Sequence, residues 1–95
     1  MLILVCDDVS HEAAGARRLR RIAELCKDYG VRVQFSVFEC RIEPKDWVVL
    51  KARLLGEYEP TLDSLRFYRI SSDDAQRIEH HGVRAPLDPC GPLVV

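Results

Sequence analysis

The chain has 95 residues, of which 47% are hydrophobic and 31% are charged, and its formal net charge is −1. This length fits one domain, the composition excludes a disordered or low-complexity chain, and the charge balance gives no general sign of a nucleic-acid partner. The first apolar run stops at Asp7. It is too short for a signal-peptide core or a membrane span, so we expect a cytoplasmic protein.

The first predicted elements are a strand and a helix. Residues 2–8 are continuously apolar up to the two aspartates, which predicts a strand buried on both faces. Ser10 then caps a helix or begins the turn before it. The helix is predicted over about 13–29 and ends at Gly30. Its core-facing stripe has helical spacing and consists of Leu19, Ile22, Ala23 and Cys26.

A hairpin and a second helix follow. Residues 31–42 alternate in polarity, with a change of parity that predicts a tight turn or a bulge near Ser36. Pro44 suits the first position of a helix, which we place at 44–57. The side chains expected to face inward are Trp47, Leu50, Leu54 and Leu55.

The last third of the chain predicts three short elements and a tail. A strand is expected over 63–70, one helical turn over 72–75 and a short last strand over 78–83. We assign residues 1–84 to a single domain that includes this added strand. The remainder, 85–95, is rich in proline and is expected to be an extended tail.

The order βαββαβ predicts an α+β ferredoxin-like sandwich, an antiparallel sheet with both helices on one face and an extra C-terminal strand. The other face of such a sheet carries apolar side chains that no helix covers. An uncovered apolar face of several hundred Å² is usually an interface. We therefore expect a homodimer that packs sheet against sheet or exchanges its last strand.

Several kinds of site find little support in the sequence. The cysteines form no CxxC pair, and we interpret Cys6, Cys26 and Cys40 as buried apolar residues. The adjacent His80 and His81 would point in opposite directions on a strand, and no glycine-rich phosphate loop is present. The aromatic residues are expected in the core: Tyr29, Phe35, Phe38, Trp47, Phe67 and Tyr68.

The two carboxylates at the end of the first strand are the first candidate site. Strand parity places Asp7 and Asp8 on opposite faces. A single carboxylate binds a divalent cation poorly, whereas two Asp8 side chains meeting across a dimer axis would bind Mg²⁺ well. The alternative is that both residues are solvated at the strand end.

The arginines of the first helix are the second candidate site. They lie away from the apolar stripe or at its border, and they are Arg17, Arg18, Arg20 and Arg21. Guanidinium groups at this density bind phosphates without regard to base sequence. The alternative is a solvated helix face that Glu24 partly neutralises.

Taken together, three segments resemble the CRISPR-associated "Cas-two" family, the small partner of the spacer-acquisition integrase. They are the strand that ends in Asp8-Val9-Ser10, the block Gln34-x-Ser36-Val37-Phe38-Glu39, and the run Asp63 to Tyr68. The arginine-rich helix and the segment Arg77 to Gly82 agree as well. The resemblance covers nearly the whole chain and is strongest to members from type I-C systems.

The resemblance implies a ferredoxin-like homodimer with a metal-dependent phosphodiesterase activity on RNA or DNA. It also implies a complex with the CRISPR integrase in which the dimer holds double-stranded DNA. Carried over by position, Asp8 is the catalytic and metal-binding carboxylate. Arg17, Arg18 and Arg21 bind nucleic acid. The supporting residues are Ser10, Ser36, which would hydrogen-bond substrate, and Phe38, which would line the interface.

One position departs from the family pattern. Members commonly carry tyrosine immediately before the catalytic aspartate, and this chain has Asp7. If Asp7 turns toward the site, it supplies a further ligand or disfavours ionisation of its neighbour by like-charge repulsion. If it points away, an aromatic contact at the strand end is lost.

Three functional hypotheses follow. In the first, the protein is a homodimeric Mg²⁺-dependent endonuclease. In the second, it is a non-catalytic architectural dimer that bridges integrase subunits and holds the DNA to be inserted. An unrelated ferredoxin-like ligand-binding module is the third and least favoured.

Overall fold

The computed structural model describes residues 1–82 and contains the predicted ferredoxin-like arrangement. The strands form one antiparallel sheet in the order β2-β3-β1-β4. In chain order, the elements are β1 (Leu2–Asp8), α1 (Ala13–Lys27), β2 (Gly30–Gln34), β3 (Val37–Arg41), α2 (Pro44–Glu57), β4 (Ser64–Ile70) and the short helix α3 (Ser72–Ala75). The predicted boundary between a domain and a tail after residue 84 lies outside the described residues.

Both long helices pack on the same face of the sheet. Ile3 and Val5 of β1 lie opposite Cys40 and Phe38 of β3, which places all four on one side of the sheet. These side chains belong to one buried cluster with residues of both helices: Ile22, Ala23, Cys26, Leu50 and Leu54. The core is therefore a single layer between the sheet and the helix pair, as the sequence predicted.

The N-terminus of α1 lies at the predicted residue, Ala13, but one of the two alternatives for Ser10 was wrong. The N-cap residue is Glu12, whose side chain makes no capping hydrogen bond. Ser10 lies two residues earlier, and its backbone N–H donates to Asp63 Oδ1 at 3.0 Å. Ser10 therefore belongs to the turn before the helix, which was one of the two predicted alternatives.

The C-terminus of α1 differs from its prediction, because Gly30 does not cap it. The helix ends at Lys27, and Gly30 is already the first residue of β2. An added Cβ at this glycine would lie 2.0 Å from the backbone oxygen of Glu39. Glycine is required here because the two strands approach closely. Backbone conformation does not require it, since the φ angle at Gly30 is not positive.

The hairpin and α2 follow their predictions closely. β2 and β3 pair with a register shift between Arg32 and Gln34, and the connecting turn contains Ser36. α2 has the predicted bounds. Of its expected inward residues, Leu50 and Leu54 are buried, whereas Leu55 is exposed. Trp47 packs edge to face on Phe67, with 5.0 Å between ring centroids.

Within the described residues, no helix covers the second face of the sheet, which we call the open face. Its centre is formed by Leu4 and Cys6 of β1, with Tyr68 of β4 directly opposite Leu4. At one end, α3 lies beside Leu2, and the two line a common shallow depression. Tyr68 and Phe35 are exposed, so the prediction that both are core residues was wrong.

Within residues 1–82, the predicted last strand does not form. Residues 78–82 have no regular secondary structure, and Val83 lies outside the described residues. Ile78 is exposed and pairs with no strand of its own sheet. Addition of this segment to the sheet of another chain stays a prediction.

The described cysteines are free thiols. Cys26 and Cys40 are buried, as predicted, whereas Cys6 is only partly buried on the open face. The Cys40 thiol donates to the backbone oxygen of Cys26 at 3.9 Å. In the part of the chain that the structure describes, no helix has the length and apolar character needed to cross a bilayer.

Candidate metal position and nucleic-acid interface

The two carboxylates at the end of β1 lie on opposite faces of the sheet, as strand parity predicted. Asp7 pairs with Leu65 on the side of the helices, and Asp8 pairs with Ser64 on the open face. Asp8 is exposed, whereas Asp7 retains only 6% of its accessible surface. Asp8 is thus available to another molecule, and Asp7 is not.

Asp7 is a buried carboxylate without hydrogen-bond partners among the described residues. Within residues 1–82, no group donates to either of its carboxylate oxygens. The Ser36 hydroxyl is near enough to favour the ionised form slightly, but it does not reach hydrogen-bonding geometry. Burial raises the pKa of Asp7 from 3.8 to about 6, and the guanidinium of Arg32 opposes that rise. Asp7 therefore lies buried on the opposite face from Asp8 and does not serve as a second ligand beside it.

The donors of one chain do not by themselves fit a divalent cation. Among the described residues, no three side chains of histidine, cysteine, aspartate or glutamate lie close enough to share a metal ion. Mg²⁺ and similar cations need several oxygen ligands, usually more than one of them from the protein. A cation at Asp8 therefore requires a second set of donors from another molecule.

Arg18 is held inside the protein by Asp63. Its Nε and Nη2 donate to the two oxygens of this carboxylate at 2.7 and 3.0 Å. Glu12 also contacts the Arg18 guanidinium, whose side chain is only 16% exposed. This two-point pairing satisfies the guanidinium geometrically. Arg18 was predicted to offer its guanidinium to nucleic acid, and the structure instead engages it within the chain; a phosphate contact from it stays a prediction.

Asp63 joins three segments of the fold. Besides Arg18, it accepts the backbone N–H groups of Ser10 at 3.0 Å and Glu59 at 2.9 Å. Its side chain has no accessible surface. The hydrogen bonds from Arg18 hold the pKa of this carboxyl well below its ordinary range, with the two backbone donors acting in the same direction. Sequence reasoning did not assign this role to Asp63.

The other two predicted nucleic-acid residues face solvent on α1. Arg17 is exposed and forms no ion pair with any residue in the range 1–82. Arg21 is half exposed, with its Nη1 at 3.6 Å from Glu57 Oε2. A pair this long at the surface is weak and is readily exchanged for a phosphate. Arg17 and Arg21 thus remain available, and Arg20 is exposed beside them.

The remaining supporting residues lie around the β2–β3 turn. Ser36 is partly buried, and its backbone oxygen accepts the N–H of Asp7 at 3.0 Å. Phe38 has no accessible surface. Phe38 packs in the core, whereas the expectation was that it lines an interface with another chain. The Arg32 guanidinium lies over this ring, 5.0 Å from its centroid.

Arg32 is a residue that the sequence reasoning did not assign to the site. It is exposed, it lies close enough to Asp7 to influence that carboxylate, and it lies over two aromatic rings. The alternation of β2 placed it opposite Phe38 across the hairpin. The register could have been inferred from the predicted turn, and it would have indicated this contact.

Comparison with known proteins agrees with the fold. Residues 1–78 match the family model described as CRISPR associated protein Cas2. The chain belongs to the Cas2 family. A CRISPR-associated endoribonuclease Cas2 from Chlorobaculum tepidum is 54% identical over the full length of both chains. A CRISPR-associated endonuclease Cas2 from Halalkalibacterium halodurans is 38% identical, with 99% of each chain covered.

A crystal structure of Streptococcus pyogenes Cas2 at pH 6.5 matches the fold with a TM-score of 0.79. The two sequences are 44% identical, and the match covers 86% of this chain and all of the other. None of these three names carries a CRISPR subtype. Assignment to type I-C therefore stays a prediction, while membership of the Cas2 family is shown.

Proposed function

We propose that this Cas2 protein is a cytoplasmic, metal-dependent endonuclease that hydrolyses phosphodiester bonds of RNA or DNA as a homodimer during CRISPR spacer adaptation. The observation that carries the proposal is Asp8, an exposed carboxylate at the end of a central strand, on a sheet face that no helix covers. The names of the relatives as endoribonuclease and endonuclease support the same chemistry.

The proposed active form needs two copies of the chain. The open face carries Leu4, the partly buried Cys6 and the exposed Tyr68, and a second copy packed against it would remove this surface from water. Such packing would bring two copies of Asp8 together and supply the oxygen ligands that one chain lacks. A bound Mg²⁺ would lower the pKa of a coordinated water and neutralise developing charge.

The chain itself would bind and position the substrate. Arg17 and Arg21 would hold backbone phosphates through charge-assisted hydrogen bonds, without reading base sequence. Asp8 would hold the cation and keep it beside the scissile phosphate. Arg18 and Asp63 would fix the start of α1, so that the exposed arginines keep a constant position relative to β1.

The test is cleavage of single-stranded RNA and double-stranded DNA by the wild type and by Asp8→Asn, each with Mg²⁺ or with chelator. We expect cleavage to require Mg²⁺ and to fall by at least about 100-fold in the variant, because an amide is a weak ligand for a hard cation. Asp73→Asn, an exposed carboxylate on α3, is the matched control and should cleave normally. Cleavage that survives in Asp8→Asn would refute the enzyme proposal.

The alternative is a non-catalytic dimer that bridges integrase subunits and holds double-stranded DNA. The exposed arginines of α1 favour it, because Arg17 and Arg21 can hold duplex phosphates without a cation. In this case Arg17→Glu would weaken capture of double-stranded DNA, and Asp8→Asn would leave spacer acquisition intact. If a correctly folded Asp8→Asn dimer lost spacer acquisition, a purely architectural role would be excluded.

A further inference from the structure

Phe35 is an aromatic residue in a position that neither packing nor turn geometry explains. It is 71% exposed, the largest value among the exposed large hydrophobic residues of the described chain. It occupies the turn between β2 and β3, where glycine, asparagine, aspartate or serine usually meets the conformational demand. No described residue other than glycine has a positive φ, so this turn makes no such demand. The exposed ring therefore has no evident structural role in the single chain.

The turn that carries Phe35 is joined to the central strand by a backbone hydrogen bond. The backbone oxygen of the next residue, Ser36, accepts the N–H of Asp7 at 3.0 Å, which joins the turn to the central strand. The Arg32 guanidinium carbon is 5.6 Å from the centroid of the Phe35 ring and 5.0 Å from that of buried Phe38. Both distances are within the range of cation–π attraction. The ring is thus presented beside a positive charge.

This combination suits an unpaired nucleobase with its phosphate. Proteins that bind single strands place bases on exposed aromatic rings and phosphates on nearby cations, with little dependence on sequence. Bases of a duplex are already stacked on one another and do not reach such a ring. The turn also lies at the end of the sheet where β1 reaches Asp8, because Asp7 contacts the turn directly. The turn and Asp8 therefore lie at the same end of the sheet.

We propose that Phe35 is a specificity-determining residue of this site: it stacks on an unpaired base next to the bound phosphodiester and favours single strands over duplexes. The proposal deepens the proposed function in placing that strand at Asp8. The stacking itself depends only on the turn, Phe35 and Arg32. It therefore predicts a difference in binding that can be measured without cleavage.

The test measures binding of a fluorescent single-stranded RNA, and of a blunt-ended duplex of the same strand with its complement, in the presence of chelator. For Phe35→Ala, we expect the Kd for the single strand to rise about tenfold, which lies within the range for loss of one stacked base. The Kd for the duplex should stay within about twofold, since a duplex offers no free base. Phe35→Trp should restore single-strand binding. Leu62→Ala, at an exposed apolar residue outside the turn, is the control.

Equal losses for single strand and duplex, or no loss for either, would overturn the proposal. So would a change in oligomeric state of Phe35→Ala by size-exclusion chromatography, since the ring would then belong to a contact between chains. The two proposals fail separately. If Asp8→Asn still cleaves while Phe35→Ala selectively loses the single strand, the enzyme proposal is wrong and the stacking role stands. If metal-dependent cleavage is lost in Asp8→Asn but single-strand binding is unchanged in Phe35→Ala, the stacking role is wrong and the enzyme proposal stands.

Discussion

The neighbouring residues Asp7 and Asp8 show how one strand can place identical side chains in opposite environments. Asp8 is exposed on the open face, where another molecule can reach it. Asp7 faces the helices, with both carboxylate oxygens lacking a hydrogen-bond donor within residues 1–82. An ionised group in such a place destabilises the fold, because it loses its hydration without gaining a partner.

We predict that Asp7→Asn stabilises the protein at neutral pH. The folded-state pKa of Asp7, about 6, lies above its ordinary value of 3.8. The stability from its protonated form is therefore complete below pH 3.8 and is lost as the pH rises through 6. A shift of this size corresponds to a difference of about 3 kcal/mol between the variant and the wild type above pH 7, and to little difference at pH 4. Urea unfolding of both proteins across this range measures it.

The comparison isolates Asp7 from the other titrating groups. The pKa of Asp63 is shifted in the opposite direction, so the stability it provides is lost only in more acidic solution than the pH window of Asp7. That contribution is present in both proteins and cancels in their difference. Parallel stability curves for wild type and variant between pH 4 and pH 8 would show that Asp7 is ionised and accommodated in the fold.

The site residues differ in how well the sequence revealed them. Strand parity alone placed Asp8 and Asp7 on opposite faces, because alternation along a strand is fixed by backbone geometry. The burial of Arg18 could not be seen, since its partner Asp63 is 45 residues away in the chain. The exposure of Phe35 was also missed, because its apolar character and its parity with the neighbouring valines both suggested a core position.

At the scale of elements, the close pairing of β2 with β3 depends on Gly30. An alanine Cβ there would lie 2.0 Å from the Glu39 oxygen and 2.7 Å from the Cys40 Cα, and both of these are backbone atoms. They cannot move aside without separating the strands. We predict that Gly30→Ala lowers the free energy of unfolding by about 3 kcal/mol, at the upper end of ordinary overpacking.

Gly56→Ala is the matched substitution on α2. Among the described residues, no atom outside its own stretch of helix lies within 4 Å of its added Cβ, and the residue is helical. We expect it to raise the free energy of unfolding by about 0.5–1 kcal/mol, because alanine has the higher helix propensity. Chemical denaturation of both variants measures the contrast. A Gly30→Ala protein as stable as Gly56→Ala would mean that the hairpin is held less closely than the structure shows.

Elements were predicted most accurately where a local signal fixed a boundary. Pro44 has no backbone N–H to lose and suits the first turn, so the start of α2 was placed correctly. The end of α1 was placed too late, because Gly30 was interpreted as a helix terminator. Glycine is needed at position 30 because the backbone of Glu39, nine positions along the chain, lies close to it. Rules for helix ends contain no information on such contacts.

At the scale of the whole molecule, the open face is the feature that a single chain leaves incomplete. One side of the sheet is sealed by α1 and α2, whereas the other presents Tyr68 with 44% of its surface in water. β4 is also an edge strand with no neighbour beyond it in the described chain. An apolar face and an open edge at the same place favour association with a second copy.

We predict that Tyr68→Glu weakens the proposed dimer by at least about tenfold, because it removes the apolar ring from the open face and buries a charge that only Arg66, the present partner of the Tyr68 hydroxyl, can offset. Leu62→Glu is the matched control: Leu62 is 54% exposed but precedes β4 and lies outside the sheet. It should leave the dimer intact. Sedimentation equilibrium measures both. If two copies of Asp8 must meet for cleavage, Tyr68→Glu should also lose the Mg²⁺-dependent activity and regain it at high protein concentration. A monomeric variant that cleaves as fast as the wild type would place a complete active site within one chain and exclude the shared one.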